Sequence, residues 1–240
     1  MILNTFCTIC WEEDKKEISR GEINSTLFSI CQCNNNHKQI QWIMDDQYQL
    51  LYKSGVNALI EGFYSESVSS LNSALESAYE VFVKSTLISD HITFEDVETF
   101  WKDIKLSERR YGAFCYSYFL TTNKVWSIKD KNKMIALRNK IIHDGYIAVK
   151  GEAVQFGSYI TEALKVINEL LENKLMKPKQ KLFFAQKESV KPTIHDLIIK
   201  NPGLISASTS GVMLLRSGEN HSFAKILEDA KTRKERNGFL

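Results

Sequence analysis

The absence of proline from the first 177 residues is the feature that most constrains how this chain can fold. All three prolines, Pro178, Pro192 and Pro202, come later in the sequence. Because a proline inside a helix costs about 3 kcal/mol, a proline-free stretch of this length permits long helices. The 240-residue chain is 43% apolar and 25% charged, which is the ordinary mixture for a protein with a packed core.

Residues 41–174 show the apolar spacing of amphipathic helices. In "SVSSLNSALESAYEVFVKS" the apolar residues recur in steps of three and four, at Val68, Leu71, Leu75, Ala78 and Phe82. Thr93 and Asp96 stand three residues apart, which is the spacing of a helix start. These patterns predict five or six helices with short connections, and we therefore expect an antiparallel helical bundle.

The sequence predicts three segments: a cysteine-rich segment at 1–40, the bundle at 41–174 and a basic extension at 175–240. Residues 1–174 hold 19 Lys and Arg against 23 Asp and Glu, whereas residues 175–240 hold 12 against 6. A basic extension can bind phosphate backbones, although such a tail is more often simply solvated. The predicted fold class is all-α, with a small zinc-knuckle-like segment before the bundle and a mixed extension after it.

The extension at 175–240 has a mixed secondary-structure pattern. "KLFFAQ" and "GVMLL" are typical of short strands, and "GLISASTSG" is typical of a loop. "SFAKILEDAKTRKERNG" predicts a charged terminal helix that ends near Asn237.

No apolar run reaches the roughly 18 residues that a membrane span needs. The opening "MILNTFCTICWEED" has neither a basic start nor a long apolar stretch, so it does not resemble a secretory signal. We therefore expect a cytoplasmic protein without a membrane partner. Because stable disulfides are rare in the cytosol, the five cysteines need another explanation.

Four of the five cysteines lie in the first 40 residues and form two half-sites for a metal ion. A Cys-x2-Cys pair places two thiolates on one ion, and a second half-site completes a tetrahedron. Thiolates combined with an imidazole favour Zn²⁺, and four protein ligands make the site structural. The predicted ligands are Cys7, Cys10, Cys33 and His37, with Cys31 as the substitute ligand.

The alternative for these cysteines is a set of free, partly buried thiols. A redox motif is less well supported, because no strand–helix pattern surrounds "CTIC". Cys115 stands among aromatic residues, which indicates a place in the core.

A polar group stands at the end of the helix predicted over "NKMIALRNKIIHDG". Asn139 and His143 are four residues apart on one face, and Arg138 is long enough to reach the same place. Histidine can transfer protons near neutral pH, and arginine offers a fork of donors to phosphate oxygens. Together these side chains suit a reaction in which a 2′-hydroxyl of RNA attacks the neighbouring phosphate and cuts the RNA backbone. The alternative is an ordinary helix end, where basic residues favour the helix dipole.

Arg138–Asn139–x3–His143 resembles the R-x4-6-H signature of the HEPN superfamily. "NALIEGFYSESVSSLNSALESAYEVFVK" is similar to the family's helix pair, and "RNKIIHDGYIAVKGEAVQFGSYITEALKVINELL" to its catalytic and closing helices. The resemblance covers roughly residues 45–174. The resemblance implies an all-α bundle for each chain. It also implies a homodimer, which brings two arginine–histidine pairs into one cleft.

The resemblance also implies residue roles. Arg138 would stabilise the phosphorane, His143 would be the acid and base, and Asn139 would support them, without a catalytic metal. Glu76 and Glu80 are possible orienting residues, although solvated carboxylates are the simpler interpretation. Some relatives carry a tyrosine two residues after the histidine that an antitoxin modifies; here Tyr146 comes three residues after.

The sequence thus predicts a metal-independent endoribonuclease that leaves 2′,3′-cyclic phosphate ends. The expected setting is a prokaryotic anti-phage defence or toxin–antitoxin system, with RNA as substrate and an antitoxin or sensor protein as a further partner. The alternative is a non-catalytic HEPN-type helical module that binds a protein or a nucleic acid.

Overall fold

The computed structural model describes residues 2–23, 28–88, 91–104, 106–208 and 222–237. Contacts divide the chain into two compact units. We call Met1–Asp46 with Phe183–Val212 the sheet unit, and Gln47–Leu182 with Met213–Leu240 the helical unit. The predicted segment boundaries after residues 40 and 174 stay predictions.

The sheet unit contains a five-stranded sheet whose spatial order follows the chain. Its strands are Ile2–Phe6 (β1), Ile18–Glu22 (β2), Phe28–Gln32 (β3), Lys38–Trp42 (β4) and Leu204–Ser208 (β5). Strands β1 to β4 pair in antiparallel fashion, and β5 joins β4 in parallel, with Lys38 opposite Leu204. A short helix, Thr8–Glu12 (α1), lies between β1 and β2 in the sequence.

The all-α prediction is therefore only partly right: the chain is mostly helical, but it also contains this sheet. Two local predictions were wrong. "GLISASTSG" is not only loop, because Leu204–Ser208 pairs with β4. "KLFFAQ" is not a strand, because residues 181–186 lie in a helix, Met176–Lys200 (α8). "GVMLL" lies outside the described residues.

Burial explains β5 and the later part of α8. In the sheet unit, Ile194 of α8 is buried with Phe28, Ile40 and Leu204, while Val190, Leu197 and Ile198 pack against them at helical spacing. The apolar residues of α8 thus follow the helical period rather than the strand period. Leu204 is buried in the same cluster, which together with the ladder to β4 fixes a serine-rich segment as a strand.

The helical unit is built from long helices, as the sequence predicts. Its helices are Gln47–Ile60 (α2), Tyr64–Leu87 (α3), Phe94–Asp103 (α4), Ser107–Thr122 (α5), Lys131–Asp144 (α6), Lys150–Asn173 (α7) and Phe223–Asn237 (α9), with the start of α8. Helix α3 contacts α2, α4, α5, α6 and α7, which makes it the central helix of the unit.

The core of the helical unit follows the predicted stripe on α3. Its five members are all buried: Val68, Leu71, Leu75, Ala78 and Phe82. Burying such a side chain stabilises the fold by roughly 1.5–3 kcal/mol. Two buried tyrosines of α2 also bond to α7, since the Tyr48 hydroxyl donates to Asn168 Oδ1 at 2.8 Å and the hydroxyls of Tyr52 and Thr161 lie 2.7 Å apart.

Two predicted helix boundaries are confirmed. Thr93 and Asp96 form a capping box, in which Thr93 Oγ1 accepts from the Asp96 amide and Asp96 Oδ2 accepts from the Thr93 amide, each at 3.2 Å. The predicted terminal helix is α9, which packs on α2 and α7.

Candidate functional site

Three thiols and one imidazole meet in the sheet unit. The ligand atoms of Cys7, Cys10, Cys33 and His37 all lie within 4.8 Å of one another. Cys10 Sγ is 3.2 Å from His37 Nδ1 and 3.9 Å from Cys33 Sγ, and Cys7 Sγ is 3.7 Å from the same nitrogen. The three cysteines are buried, so this group is a cluster that could hold a metal ion.

Local backbone structure brings the two half-sites together. Cys7 is the residue before α1, and Cys10 lies within that helix, so one turn separates the two thiols. Cys33 and His37 flank the turn between β3 and β4, where the Cys33 amide donates to the His37 carbonyl at 3.1 Å. Asn36 in this turn has a left-handed φ of 62°, a conformation that asparagine tolerates well.

The protonation of the cluster is uneven. Burial raises the pKa of Cys7, but hydrogen bonds from the Cys10 amide and from His37 outweigh it and lower this pKa to about 7. A hydrogen bond from Asn35 lowers the pKa of Cys10, yet burial and the neighbouring thiols raise it to about 11. Without a cation, the cluster therefore favours one thiolate and disfavours the ionisation of a second thiol. A bound cation would stabilise the second thiolate.

Cys31, the substitute ligand in the sequence prediction, lies outside this cluster. Its Sγ is 3.9 Å from Ser29 Oγ on the same strand, and burial raises the pKa of its thiol. A Cβ atom added to Gly21 on β2 would stand 2.6 Å from this sulfur. Cys31 therefore fills the space above Gly21 and has a packing role between neighbouring strands.

The second candidate site is at the end of α6 in the helical unit. Arg138 Nη1 donates to Asn139 Oδ1 at 3.0 Å and lies 3.4 Å from His143 Nε2. Because arginine can only donate, a hydrogen bond here requires an unprotonated Nε2 on His143. Gly145 ends the helix with a left-handed φ of 66°, a conformation that glycine adopts without strain. One guanidinium thus touches both of the other predicted residues.

Helix α3 adds a carboxylate to this group. Glu76 Oε1 lies 3.7 Å from Arg138 Nη2 and accepts a hydrogen bond from Asn72 Nδ2 at 3.0 Å. Glu80, the other carboxylate that the sequence offered, instead lies 2.6 Å from Lys84 Nζ. Only Glu76 of the two therefore contacts the Arg138 guanidinium.

The face that carries the group is open to solvent. Asn139 and His143 are exposed, and the Arg138 side chain is 22% exposed to solvent. Tyr146 does not contact these residues through its hydroxyl, which donates to the Glu152 carboxylate at 3.1 Å. This hydrogen bond, together with burial, raises the pKa of Tyr146, which remains a neutral phenol.

A cavity of about 190 Å³ adjoins Arg138 and Asn139. Its walls come from α3, α5, α6 and α7, and they include Tyr79, Tyr111 and Tyr159. Sequence reasoning missed these residues because each belongs to a different helix. The only local signal was the i, i+4 spacing of Asn72 and Glu76, which places these two polar side chains on one face of α3.

Comparison with protein-family models, curated proteins and solved structures finds no match to this chain. Within the described ranges, no helix combines the length and the apolarity needed to cross a bilayer.

Proposed function

We propose that the protein is a metal-independent endoribonuclease of the HEPN type. The observation that carries this proposal is the contact of the Arg138 guanidinium with both Asn139 and His143 on a solvent-exposed helix end. An ordinary helix end needs no such convergence, because separate basic residues satisfy the dipole equally well.

The proposed reaction uses the 2′-hydroxyl of the substrate as the nucleophile. A base removes the hydroxyl proton, the 2′-oxygen attacks the phosphorus, and the 5′-oxygen leaves with a proton from an acid. The products are a 2′,3′-cyclic phosphate and a 5′-hydroxyl. His143 transfers a proton, Arg138 stabilises the charge on the phosphorane, and Asn139 fixes the orientation of Arg138.

One histidine cannot readily serve as acid and base in the same step. We therefore propose a homodimer in which the His143 side chains of two chains face each other across one cleft. In the organism, the resemblance to HEPN proteins favours a prokaryotic defence or toxin–antitoxin role, with an antitoxin or sensor protein as regulator.

For the cysteine cluster we propose a structural Zn²⁺ site. Three thiols and one imidazole are the donors of a Cys₃His zinc site, and four protein ligands leave no position for a reacting water. The role of the ion would be to stabilise the sheet unit, while cleavage would proceed without it.

The second candidate is a non-catalytic helical module that binds a protein or a nucleic acid. The ion pair between Glu76 and Arg138 favours it, because a guanidinium that already has a carboxylate partner is less available to a phosphate.

One cleavage assay separates the two candidates. Wild-type protein, His143→Ala and His195→Ala are incubated with a mixed RNA substrate in excess EDTA, and the product ends are analysed. His195 is an exposed histidine on α8 and serves as the matched control. We expect wild type and His195→Ala to produce 2′,3′-cyclic phosphate ends and His143→Ala to be at least a hundredfold slower, in the range of an acid–base residue.

Equal cleavage by His143→Ala would contradict the assignment of His143. Failure of all three folded proteins to cut, with RNA binding retained, would favour the non-catalytic module.

A further inference from the structure

The cavity beside Arg138 is small, and four aromatic side chains are among the residues that line it. Its volume of about 190 Å³ lies below the roughly 300–1,000 Å³ of pockets for drug-sized ligands. It therefore suits one ring system rather than a long or branched ligand. Arg138 and Asn139 line the same cavity, so a ring inside it would stand directly beside the proposed phosphate site.

The tyrosines of the cavity offer both ring surfaces and hydroxyls. The rings of Tyr79 and Tyr111 have centroids 5.7 Å apart, and Tyr159 lines the same space. Tyr79 is only 6% exposed, and in the described part of the chain no hydrogen bond involves its hydroxyl. Burial raises the pKa of Tyr79 and of Tyr159, so both hydroxyls remain neutral donors. Tyr79 and Tyr159 both line the cavity, so a ligand inside it can accept a hydrogen bond from these phenols.

The charges around the cavity suit a nucleotide rather than a plain apolar ring. Lys131 lies over the Tyr111 ring at 4.5 Å, and Arg110 also lines the cavity. Lys131 and Arg138 can supply positive charge to a phosphate, whereas the Arg110 guanidinium lies over the Trp101 ring and donates to the Ile104 carbonyl. Glu76 and Glu108 supply acceptors for the amino and imino groups of a base.

We propose that this cavity takes one unstacked base of a single-stranded RNA, while the adjoining phosphate is bound by Arg138. Base stacking on tyrosine rings is a sequence-tolerant source of affinity, and the polar groups of the cavity read the edge of the base. The inference deepens the proposed ribonuclease function and rests on it for the identity of the substrate.

The experiment measures the contribution of a single base. The probes are fluorescein-labelled heptamers of abasic spacers, each with one central 2′-O-methyl nucleotide of A, C, G or U, and one fully abasic heptamer. None contains a 2′-hydroxyl, so none can be cut by the proposed reaction. Binding is followed by fluorescence anisotropy with wild type, Tyr111→Leu and Tyr116→Leu. Tyr116 is a 67% exposed tyrosine on the same helix and provides the matched control.

We expect at least one base to tighten binding to wild type about tenfold or more over the fully abasic heptamer. Tyr111→Leu should reduce that ratio below about threefold, and Tyr116→Leu should preserve it. A ratio near one for all four bases would overturn the proposal, and this result needs no variant to be folded. An equal ratio in Tyr111→Leu would overturn it as well.

The outcome is independent of the cleavage assay. If wild type cuts RNA but the ratio is near one, the base site is wrong and the ribonuclease proposal stands. If wild type does not cut RNA but one base binds through Tyr111, the cavity is the base-binding site of a non-catalytic module.

Discussion

The carboxylate oxygen Oε1 of Glu76 lies 3.7 Å from Nη2 of Arg138, so α3 supplies a negative charge at the proposed phosphate site. The contacts of this carboxylate with Arg138 and with Asn72 use the same oxygen. Because the two side chains of the ion pair are partly exposed, the pair contributes little to stability, about 0–1 kcal/mol. The ion pair instead affects phosphate binding, because a carboxylate and a phosphate compete for the same guanidinium.

Glu76→Gln should therefore strengthen RNA binding. The substitution keeps the shape and the acceptor for Asn72 but removes the charge, so we expect about two- to fivefold tighter binding of an uncleavable 2′-O-methyl RNA. The measurement is fluorescence anisotropy at low and at moderate salt, because phosphate contacts weaken as salt rises. Glu80→Gln is the control, since Glu80 pairs with Lys84. Weaker binding by Glu76→Gln would show that the carboxylate orients Arg138 rather than competing for it.

Cys10→Ser should remove the metal ion and destabilise the sheet unit. Cys10 Sγ lies 3.2 Å from His37 Nδ1, and a serine hydroxyl is a poor zinc ligand. We expect wild type to hold one zinc ion per chain by elemental analysis and to melt at a lower temperature after chelation, because structural zinc contributes directly to folding. Cys10→Ser should lack the ion.

Cys31→Ser is the matched control for this prediction, since Cys31 is equally buried but lies outside the cluster. Zinc loss in Cys31→Ser, with zinc retained in Cys10→Ser, would assign Cys31 as a ligand and overturn the proposed set.

Lys84→Met should destabilise the helical unit. Lys84 is 3% exposed, and its ammonium lies 2.6 Å from Glu80 and 2.5 Å from Glu98. Glu80 and Glu98 lose their counter-charge but are partly exposed, so we expect a cost of about 1–2 kcal/mol, or roughly 2–8 °C in Tm for a chain of this size. Thermal unfolding measures the loss.

A second variant tests this cause. Lys84→Met combined with Glu98→Gln should lose less stability than Lys84→Met alone, because one uncompensated charge is removed. An equal or larger loss would mean that the uncompensated charge is not the cause, and that the contact of the Lys84 ammonium with the Trp101 ring, 5.7 Å from its centroid, carries the effect.

The parts of this fold that the sequence predicts are those set by local patterns. The apolar stripe of α3 keeps the helical period, so Val68 and Phe82 are recognisable as core residues without a structure. The four residues of the cysteine cluster are recognisable because two short half-sites fix their ligand types and spacing. The capping box of Thr93 is equally local.

The remaining parts depend on contacts between distant residues. Strand β5 carries the serine-rich sequence "LISAS" and exists because it pairs with β4, far earlier in the chain. Glu76 and Glu80 are equivalent by spacing, and only tertiary packing assigns Glu76 to Arg138 and Glu80 to Lys84. The cavity is composed of residues from four helices, and no single segment contains its pattern.

The packing of α9 against α7 also depends on residues that are distant in the sequence, and it leads to a further prediction. Gly157 on α7 stands directly against the ring of Phe223 at the start of α9, so a Cβ atom at residue 157 would overlap with that ring. Gly157→Ala should therefore push α9 away from α7 and lower the free energy of unfolding by about 1–3 kcal/mol, as other overpacked cores do. Urea denaturation measures the change.

Gly112→Ala is the matched control, since Gly112 lies within α5 and a Cβ atom there meets nothing within 4 Å. Alanine is the better helix former, so this control should leave stability unchanged or raise it by up to about 1 kcal/mol. Phe223→Ala should cost stability alone, because Phe223 is 2% exposed, but it should cancel much of the effect of Gly157→Ala when the two are combined. If the two losses instead add fully, the ring of Phe223 is not what opposes a side chain at residue 157.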